Sequence, residues 1–224
     1  MIAIWDWAYA LEILPILAEA SILTVQVTLA GFVLALVVGL AFAVGRMAGP
    51  AWLRSATGAA VEFVRSTPLL IQIFVLYYMM PGIGLSLSAM STGVLALGLH
   101  YGAYCAEVYR SGLENVPRGQ WEASIALNLS PWTTFKDIVL PQAIPPVVPA
   151  LGNYLIALFK ETPLLSAIAV LELMQTAKIL GSESFQYTEP ITLVGAFFLL
   201  FSLLSAALIR RVERRLGARA GARR

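Results

Sequence analysis

Residues 117–141 read Pro117-Arg118-Gly119-Gln120-Trp121-Glu122-Ala123-Ser124-Ile125-Ala126-Leu127-Asn128-Leu129-Ser130-Pro131-Trp132-Thr133-Thr134-Phe135-Lys136-Asp137-Ile138-Val139-Leu140-Pro141. Apolar runs long enough to cross a bilayer flank this polar interval on both sides. From Gln120 to Leu129 the pattern is helical, because Trp121, Ile125 and Leu129 recur at i, i+4 and i+8 with Glu122 beside them. The spacing predicts an amphipathic helix of two to three turns, roughly 15 Å long at 1.5 Å per residue, ended by Pro131. A helix this short does not span a membrane. Two roles fit it: an interfacial helix resting on lipid headgroups, or a knob that docks its apolar stripe into a groove of a soluble partner.

The rest of the chain sets that interval in a membrane. Of 224 residues, 59% are hydrophobic and only 12% charged, with a mean hydropathy of +0.80. An average soluble domain is about a quarter charged. The 15 basic and 13 acidic side chains fall in short intervals and leave long uncharged runs. Since roughly 20 apolar helical residues cross the hydrocarbon core, the runs read as five spans, at about 21–45, 59–80, 90–109, 142–168 and 190–209. The fold expected is all-α and polytopic, a single transmembrane domain over 21–210 with a cytoplasmic segment at 111–141.

Charge sets the orientation. Residues 1–20 carry Asp6, Glu12 and Glu19 with Trp5, Trp7 and Tyr9 but no basic residue, which suits an external amphipathic segment. No basic stretch precedes residues 10–20, so a cleaved signal peptide is not expected. Arg46, Arg54, the central interval and the Arg-rich tail at 211–224 share one side, while the other keeps only Lys178. The N-terminus is then outside and the C-terminus cytoplasmic. The single Cys105 excludes an internal disulfide and lacks the partners of a metal site. Gly31, Ala35 and Gly39, four residues apart, suit close helix packing, although such residues are also simply frequent in membrane helices.

Charged residues at the membrane edge come in two kinds. Glu62 with Arg65, and Glu107 with Arg110, are three residues apart on helical faces and read as structural ion pairs. Arg65-Ser66-Thr67-Pro68 and Lys160-Glu161-Thr162-Pro163 each place Thr before Pro, an N-cap followed by a favoured first helical residue. Each pair predicts a helix restart whose positive N-terminal end can face a carboxylate. Ionisable groups within a membrane default to a functional reading, which makes Lys160, Glu161 and Thr162 candidates for a solute pathway with Thr67, Gln72, His100, Tyr101 and Tyr104. The plainer alternatives are a snorkelling Lys160, a Glu161 paired with Arg65 or Lys160, Thr-Pro kinks, and a packing role for His100.

Several motifs together resemble the permeases of ATP-binding-cassette importers. Glu122-Ala123-Ser124, Leu127-Asn128, Phe135, Ile138, Leu140 and Pro141 look like that family's Glu-Ala-Ala motif. Ser124 stands where Ala is usual and Asn128 where Gly is usual, and Asn tolerates a left-handed backbone. The stretches 65–72, 104–112, 116–123 and 160–164 resemble the polar-amino-acid subfamily. Gly98-Leu99-His100-Tyr101, residues 141–173 and Ile4-Trp5-Asp6-Trp7 look most like permeases of ectoine/hydroxyectoine uptake systems.

The resemblance implies a type I importer permease in the bacterial inner membrane, working by alternating access on a polar amino acid or ectoine-like zwitterion. It implies as partners a second permease chain, identical or homologous, two ATPase subunits and an extracytoplasmic solute-binding protein. Gly119, Trp121, Glu122, Ala123, Ser124, Ile125, Leu127, Asn128 and Leu129 would form the coupling helix that contacts an ATPase. No Gly-rich phosphate loop ending in Gly-Lys-Ser/Thr is present, so no cofactor is expected on this chain, with ATP and Mg on the partner. An oligomeric channel or secondary transporter without an ATPase is the alternative, and would leave residues 117–141 on the membrane surface. A membrane enzyme fits poorly, because one Cys and one His offer no nucleophile–base or metal-ligand cluster.

Overall fold

The computed structural model describes residues 5–221, with side chains through Arg215. Residues 1–4 of the expected external segment, Ile4 among them, and 222–224 of the basic tail lie outside the described residues. The described residues contain helices and no strand.

Helix α1 is a 42-residue rod, Trp7–Ala48, beginning about four turns before the expected first span. Asp6 caps it, its carboxylate accepting from the N–H groups of Ala8 (2.9 Å) and Tyr9 (3.2 Å). Helix α2 (Ala51–Ser66) meets α3 (Leu69–Phe74) at a bend of 106°. The expected span over 59–80 is in two pieces, with the helix restarting after Thr67-Pro68. The cause is local: Thr67 precedes Pro68, is steered from helical backbone and adopts φ −106°, ψ 137°. From α3 the chain continues through a wide turn, Val75–Met79, and a tight one, Met80–Ile83.

Helix α4 (Ala89–Glu114) runs back through the core after its Ser88 cap. Helix α5 (Arg118–Ala126) and α6 (Pro131–Thr133) make the central interval, and the wide turn Thr134–Val139 leads into α7 (Leu140–Glu161). A 3-10 turn, Thr162–Ile168, extends α7 without interruption. Residues 172–189, read from sequence as a polar connection, contain a further helix, α8 (Leu173–Ser184), before α9 (Thr188–Gly221).

Three helical stretches are long and apolar enough to cross a bilayer: Trp7–Ala48, Pro131–Ile168 and Thr188–Arg215; the bent α2–α3 pair makes a fourth. Helix α4 is not among them, because His100, Tyr101, Tyr104 and its Gly, Ser and Thr residues dilute its apolar run. It is instead the most enclosed element, with Ala96, Leu97, Ala103 and Cys105 fully buried.

The α1–α4 seam is the core. Gly31, Ala35 and Gly39 are all buried and face α4 within the same chain. A Cβ on Gly39 would sit 2.6 Å from Cys105 Cβ and 2.9 Å from the Gly102 carbonyl oxygen, so only glycine permits this approach. At the other end of α1, Ile13 and Leu17 pack with Leu173, Ala177 and Val194. There the Leu173 N–H donates to Thr24 Oγ1 at 3.1 Å, tying α8 to α1. Outward, α9 exposes Leu199, Leu203, Leu204 and Leu208, an apolar face suited to lipid.

Candidate functional site

The central interval folds differently from its periodicity. Helix α5 ends at Ala126, five residues before Pro131, because Asn128 takes φ +53°. The Leu129 N–H donates to the Ser124 carbonyl (3.0 Å) and the Asn128 N–H to the Ile125 carbonyl (2.9 Å). This pair of bonds is a Schellman cap with Asn128 in the position usually held by glycine. Pro131 does not end α5; it opens α6 behind the N-cap Ser130, whose hydroxyl accepts from Thr133 N–H at 3.1 Å.

The early stop breaks the expected three-residue stripe. Trp121 and Ile125 stay exposed, at 39% and 77%, while Leu129 is half-buried beyond the helix. Leu127 (71%) and Trp132 (69%) replace it on the exposed surface. Trp132 was not singled out in the sequence. Glu122 and Ala123 are exposed, and Gly119 has open space around it. Ser124 is buried, and its hydroxyl donates to the Gln120 carbonyl at 2.7 Å, which satisfies the extra polar atom. Beside the interval, Val116, Val139 and Ala143 pack with Leu113 and Phe135, and α5 packs on the wide turn Thr134–Val139 and meets α7 through the Gln142–Gln120 bond (3.3 Å).

A second cluster is ionic. Glu107 binds Arg46 of α1 and receives two hydrogen bonds from Arg110, at 2.7 Å from Nη2 and 3.0 Å from Nε. Arg65 of α2 approaches it to 3.8 Å. The expected Glu62–Arg65 pair is loose, at 4.0 Å, with the Glu62 side chain 74% exposed. Arg65 turns to Glu107 instead and lies 5.3 Å over the Tyr104 ring. Arg46 was legible only as a positive loop charge; its level at the end of α1, opposite Glu107, was the available signal.

The candidate pathway residues divide. Gln72 Nε2 donates to the carbonyls of Val64 (2.8 Å) and Thr67 (3.1 Å) across the α2–α3 bend. Its Oε1 lies 3.3 Å from His100 Nδ1. His100, Tyr101 and Tyr104 of α4 form an aromatic group with Tyr154 of α7, with ring centroids 5.2–6.1 Å apart. Tyr101 also lies against Glu161, whose Oε2 is buried with no hydrogen-bond partner. Lys160, one residue earlier, points to the exposed side.

Neither threonine caps a restarting helix. The Thr67 hydroxyl donates back to the Phe63 carbonyl (2.8 Å), and Pro68 is the N-cap of α3. Thr162 is fully buried, has helical backbone and donates to the Phe159 carbonyl (2.8 Å). Tyr154 was missed in the sequence; its seven-residue spacing from Glu161 on one helix was the signal.

Bent and proline-broken helices around buried polar groups, with a short exposed helix between them, define a membrane-embedded permease. The chain belongs to the family described as binding-protein-dependent transport system inner membrane component, which it matches over residues 31–218. It is 43% identical over 208 residues to the probable amino-acid ABC transporter permease protein y4tG of Sinorhizobium fredii, covering 93% of this chain and 90% of that one. It is 33% identical to the L-cystine transport system permease protein TcyB of Bacillus subtilis, covering 89% and 88%. The crystal structure of an amino acid ABC transporter with histidines superposes with a TM-score of 0.89 at 29% identity, covering 94% of this chain and 99% of that one. An inward-facing form of the MetNI methionine ABC transporter shares the fold, with a TM-score of 0.69 at 23% identity. The chain is thus the permease subunit of an amino-acid ABC importer, not an enzyme, and a separate partner is the ATPase.

Proposed function

We propose that this permease passes a polar amino acid or an amino-acid-like zwitterion, ectoine and hydroxyectoine included, by alternating access. Relatives described for amino acids and cystine support the amino-acid class. In this reading α4 is the fifth span, the N-terminus is outside, and the C-terminus lies on the cytoplasmic side of the bacterial inner membrane. A second permease, identical or homologous, two ATPases and an external solute-binding protein complete the machine. ATP and Mg bind the ATPases, and this chain carries no cofactor.

The observation that carries the reading is the exposed apolar surface of Trp121, Ile125, Leu127 and Trp132 on a short helical segment. Such a surface beside a cytoplasmic mouth suits insertion into a cleft of the ATPase. Gln72, His100, Tyr101, Tyr104 and Glu161 line the solute path, and Glu161 takes the ammonium group. Lys160 supplies the opposite charge, while Thr67 shapes the α2–α3 bend and Thr162 the turn that extends α7.

The test is Glu122→Ala and Glu122→Lys in the assembled importer in proteoliposomes. Both are expected to lower solute uptake while ATP hydrolysis continues. Normal uptake per ATP in both variants refutes the coupling role.

A further inference from the structure

An apolar groove of about 350 Å³ opens between α1, α4, α7 and the turn Thr134–Val139. Its direction follows from the packing. Gly31 lies against Leu97 and Gly39 against Cys105, so α1 and α4 run the same way. Gly112 lies against Val147 while Val116 packs with Val139, so α7 runs back. Leu40, Tyr109 and Val147 therefore mark one end of the groove, and Ala48, Leu113 and Leu140 the other. The second end coincides with the last residue of α1 and the first of α7. From Leu40 to Ala48 the groove follows about 12 Å of helix axis, most of the roughly 15 Å of hydrocarbon in one leaflet. Val44 and Met47, on its α1 wall, are exposed at 55% and 41%, so it opens sideways along a helix long and apolar enough to span.

The walls suit a hydrocarbon chain. The Tyr109 hydroxyl is the one side-chain oxygen in them, and it donates to the Leu36 carbonyl at 3.4 Å. A helix of a second protein, about 10 Å across, fills roughly 900 Å³ over the same length. That is more than twice what the groove holds, whereas a single extended chain fits.

The end at Ala48 and Leu140 is marked by cations. Lys136 directly follows Phe135, which lines the groove. Helix α2 folds back on α1 with Thr57 against Gly45, which puts Arg54 at the level of Ala48. Both residues are exposed, and neither has a salt bridge among the described residues. Arg46, near the same level, is held by Glu107. One exposed acid, Asp137, adjoins Lys136, so this end keeps a net positive charge. Basic pockets between membrane helices on the cytoplasmic side suit anionic headgroups.

We propose that the groove holds one acyl chain of an anionic phospholipid, with Arg54 and Lys136 holding its phosphate. The chain fills the seam between α1 and the first two turns of α7 and packs on Phe135, in the turn that follows the coupling helix. Its place in the cytoplasmic leaflet rests on the proposed orientation.

The test uses the assembled importer in phosphatidylcholine vesicles doped with a phospholipid that carries a photoreactive diazirine in its chain. The labelled residues are mapped after irradiation. The phosphatidylglycerol probe is expected to label residues 40–48 and 140–147 about fivefold more than a phosphatidylcholine probe at the same fraction, the gain for about one net cation. Residues 29–37 of α1, where Leu29, Val33 and Val37 are exposed, are the internal control and should not distinguish the two probes. Arg54→Ala with Lys136→Ala is expected to bring the phosphatidylglycerol labelling down to the phosphatidylcholine level. Val44→Trp, at an exposed lip, is expected to lower groove labelling by both probes severalfold relative to 29–37.

Equal groove labelling by the two probes overturns the proposal, as does a preference that survives Arg54→Ala with Lys136→Ala. Labelling of 29–37 without labelling of the groove also overturns it, in favour of a second permease or the ATPase covering that face. Delivering the phosphatidylglycerol probe to one leaflet at a time separates the site from the orientation. Selective labelling from the leaflet opposite the ATPases overturns the orientation and keeps the lipid site, whereas selective labelling from neither leaflet overturns the site alone.

Discussion

Replacing Asn128 tests whether the shape of the cap after α5, and not merely its composition, transmits the ATPase stroke. The residue is exposed and makes no core contact, so its value lies in its φ of +53°. A left-handed conformation costs a residue with a Cβ about 1–2 kcal/mol, which Asn offsets by local hydrogen bonding and glycine avoids. Asn128→Val, β-branched at such a backbone position, is expected to weaken the cap by about 2 kcal/mol. That is roughly a thirtyfold drop in its population relative to open alternatives. The two cap bonds to the Ser124 and Ile125 carbonyls go with it. Transport and ATP hydrolysis would be measured together in proteoliposomes holding the complete importer. Asn128→Gly should match the wild type, and Asn128→Val should hydrolyse ATP with several times less uptake per turnover. Thermal stability should barely change in either. If the Val variant couples normally, or the Gly variant couples as poorly as Val, backbone shape is not what matters.

Three further outcomes follow from the packing. Glu107→Gln removes the only acid facing Arg46 and Arg65 within the shared cluster at α1, α2 and α4, apart from the loosely held Glu62. Because the cluster is partly open to water, the loss should be about 2 kcal/mol, less than for a fully buried pair; an unchanged melting temperature in detergent would make it ornamental. Gly39→Ala and Gly195→Ala should move stability in opposite directions. The first meets the Gly102 carbonyl at 2.9 Å and should cost about 1 kcal/mol net, while the second has nothing within 4 Å and should gain up to about 1 kcal/mol in helix propensity. Shifts of the same sign would contradict the α1–α4 geometry.

The last concerns Glu172, which lies between the spans. Burial raises its carboxyl to about 7, against the pull of the Met174 and Gln175 N–H groups and Lys178. A raised carboxyl pKa means the folded chain holds the proton more tightly than the unfolded one. Stability is therefore highest below about pH 4.5 and declines as pH rises toward about 7, by an amount on the order of 3 kcal/mol at most. Glu172→Gln keeps an acceptor for the cap and should flatten that slope in melting curves from pH 5 to 8; a slope as steep as the wild type would assign it to another group.

Much of this fold was legible because membrane solvent simplifies sequence. Uncharged runs located the beginnings of α4 and α9 within a few residues, and a left-handed backbone at Asn128 was anticipated from its residue type. What stayed hidden depended on tertiary choice. The periodicity of Trp121, Ile125 and Leu129 extended a helix that the Asn128 cap ends early, since side-chain spacing carries no information about φ. Thr67-Pro68 and Thr162-Pro163 are the same dipeptide, yet one marks a 106° bend and the other a continuous turn. Gln72 stabilises the bend by bonding both Val64 and Thr67, and that contact spans a distance no local propensity encodes. Helix α8 escaped notice because its polarity resembled a loop, while its apolar Leu173 and Ala177 are spent on α1 and α9.

Under the proposed function, α7 is the element that joins the coupling segment to the pathway. At one end, Val139 and Ala143 pack with Val116, and Gln142 reaches Gln120 of α5. Two turns further on, Val147 fills the space that Gly112 leaves, where a Cβ would come within 2.1 Å of it. At the far end, Tyr154 touches the α4 aromatic group and Glu161 carries its unpartnered oxygen. A displacement of α5 therefore reaches α7 through the turn Thr134–Val139 and the Gln120–Gln142 bond, and packed interfaces shift between discrete arrangements more readily than they deform continuously. The prolines add the complementary property. By removing three N–H groups near the base, they weaken the helix where a hinge is useful and leave its upper half, from Ala150 to Phe159, regularly bonded. In the proposed function, a stroke at the coupling segment then reaches Tyr154 as the tilt of a stiff rod about a hinge at those prolines.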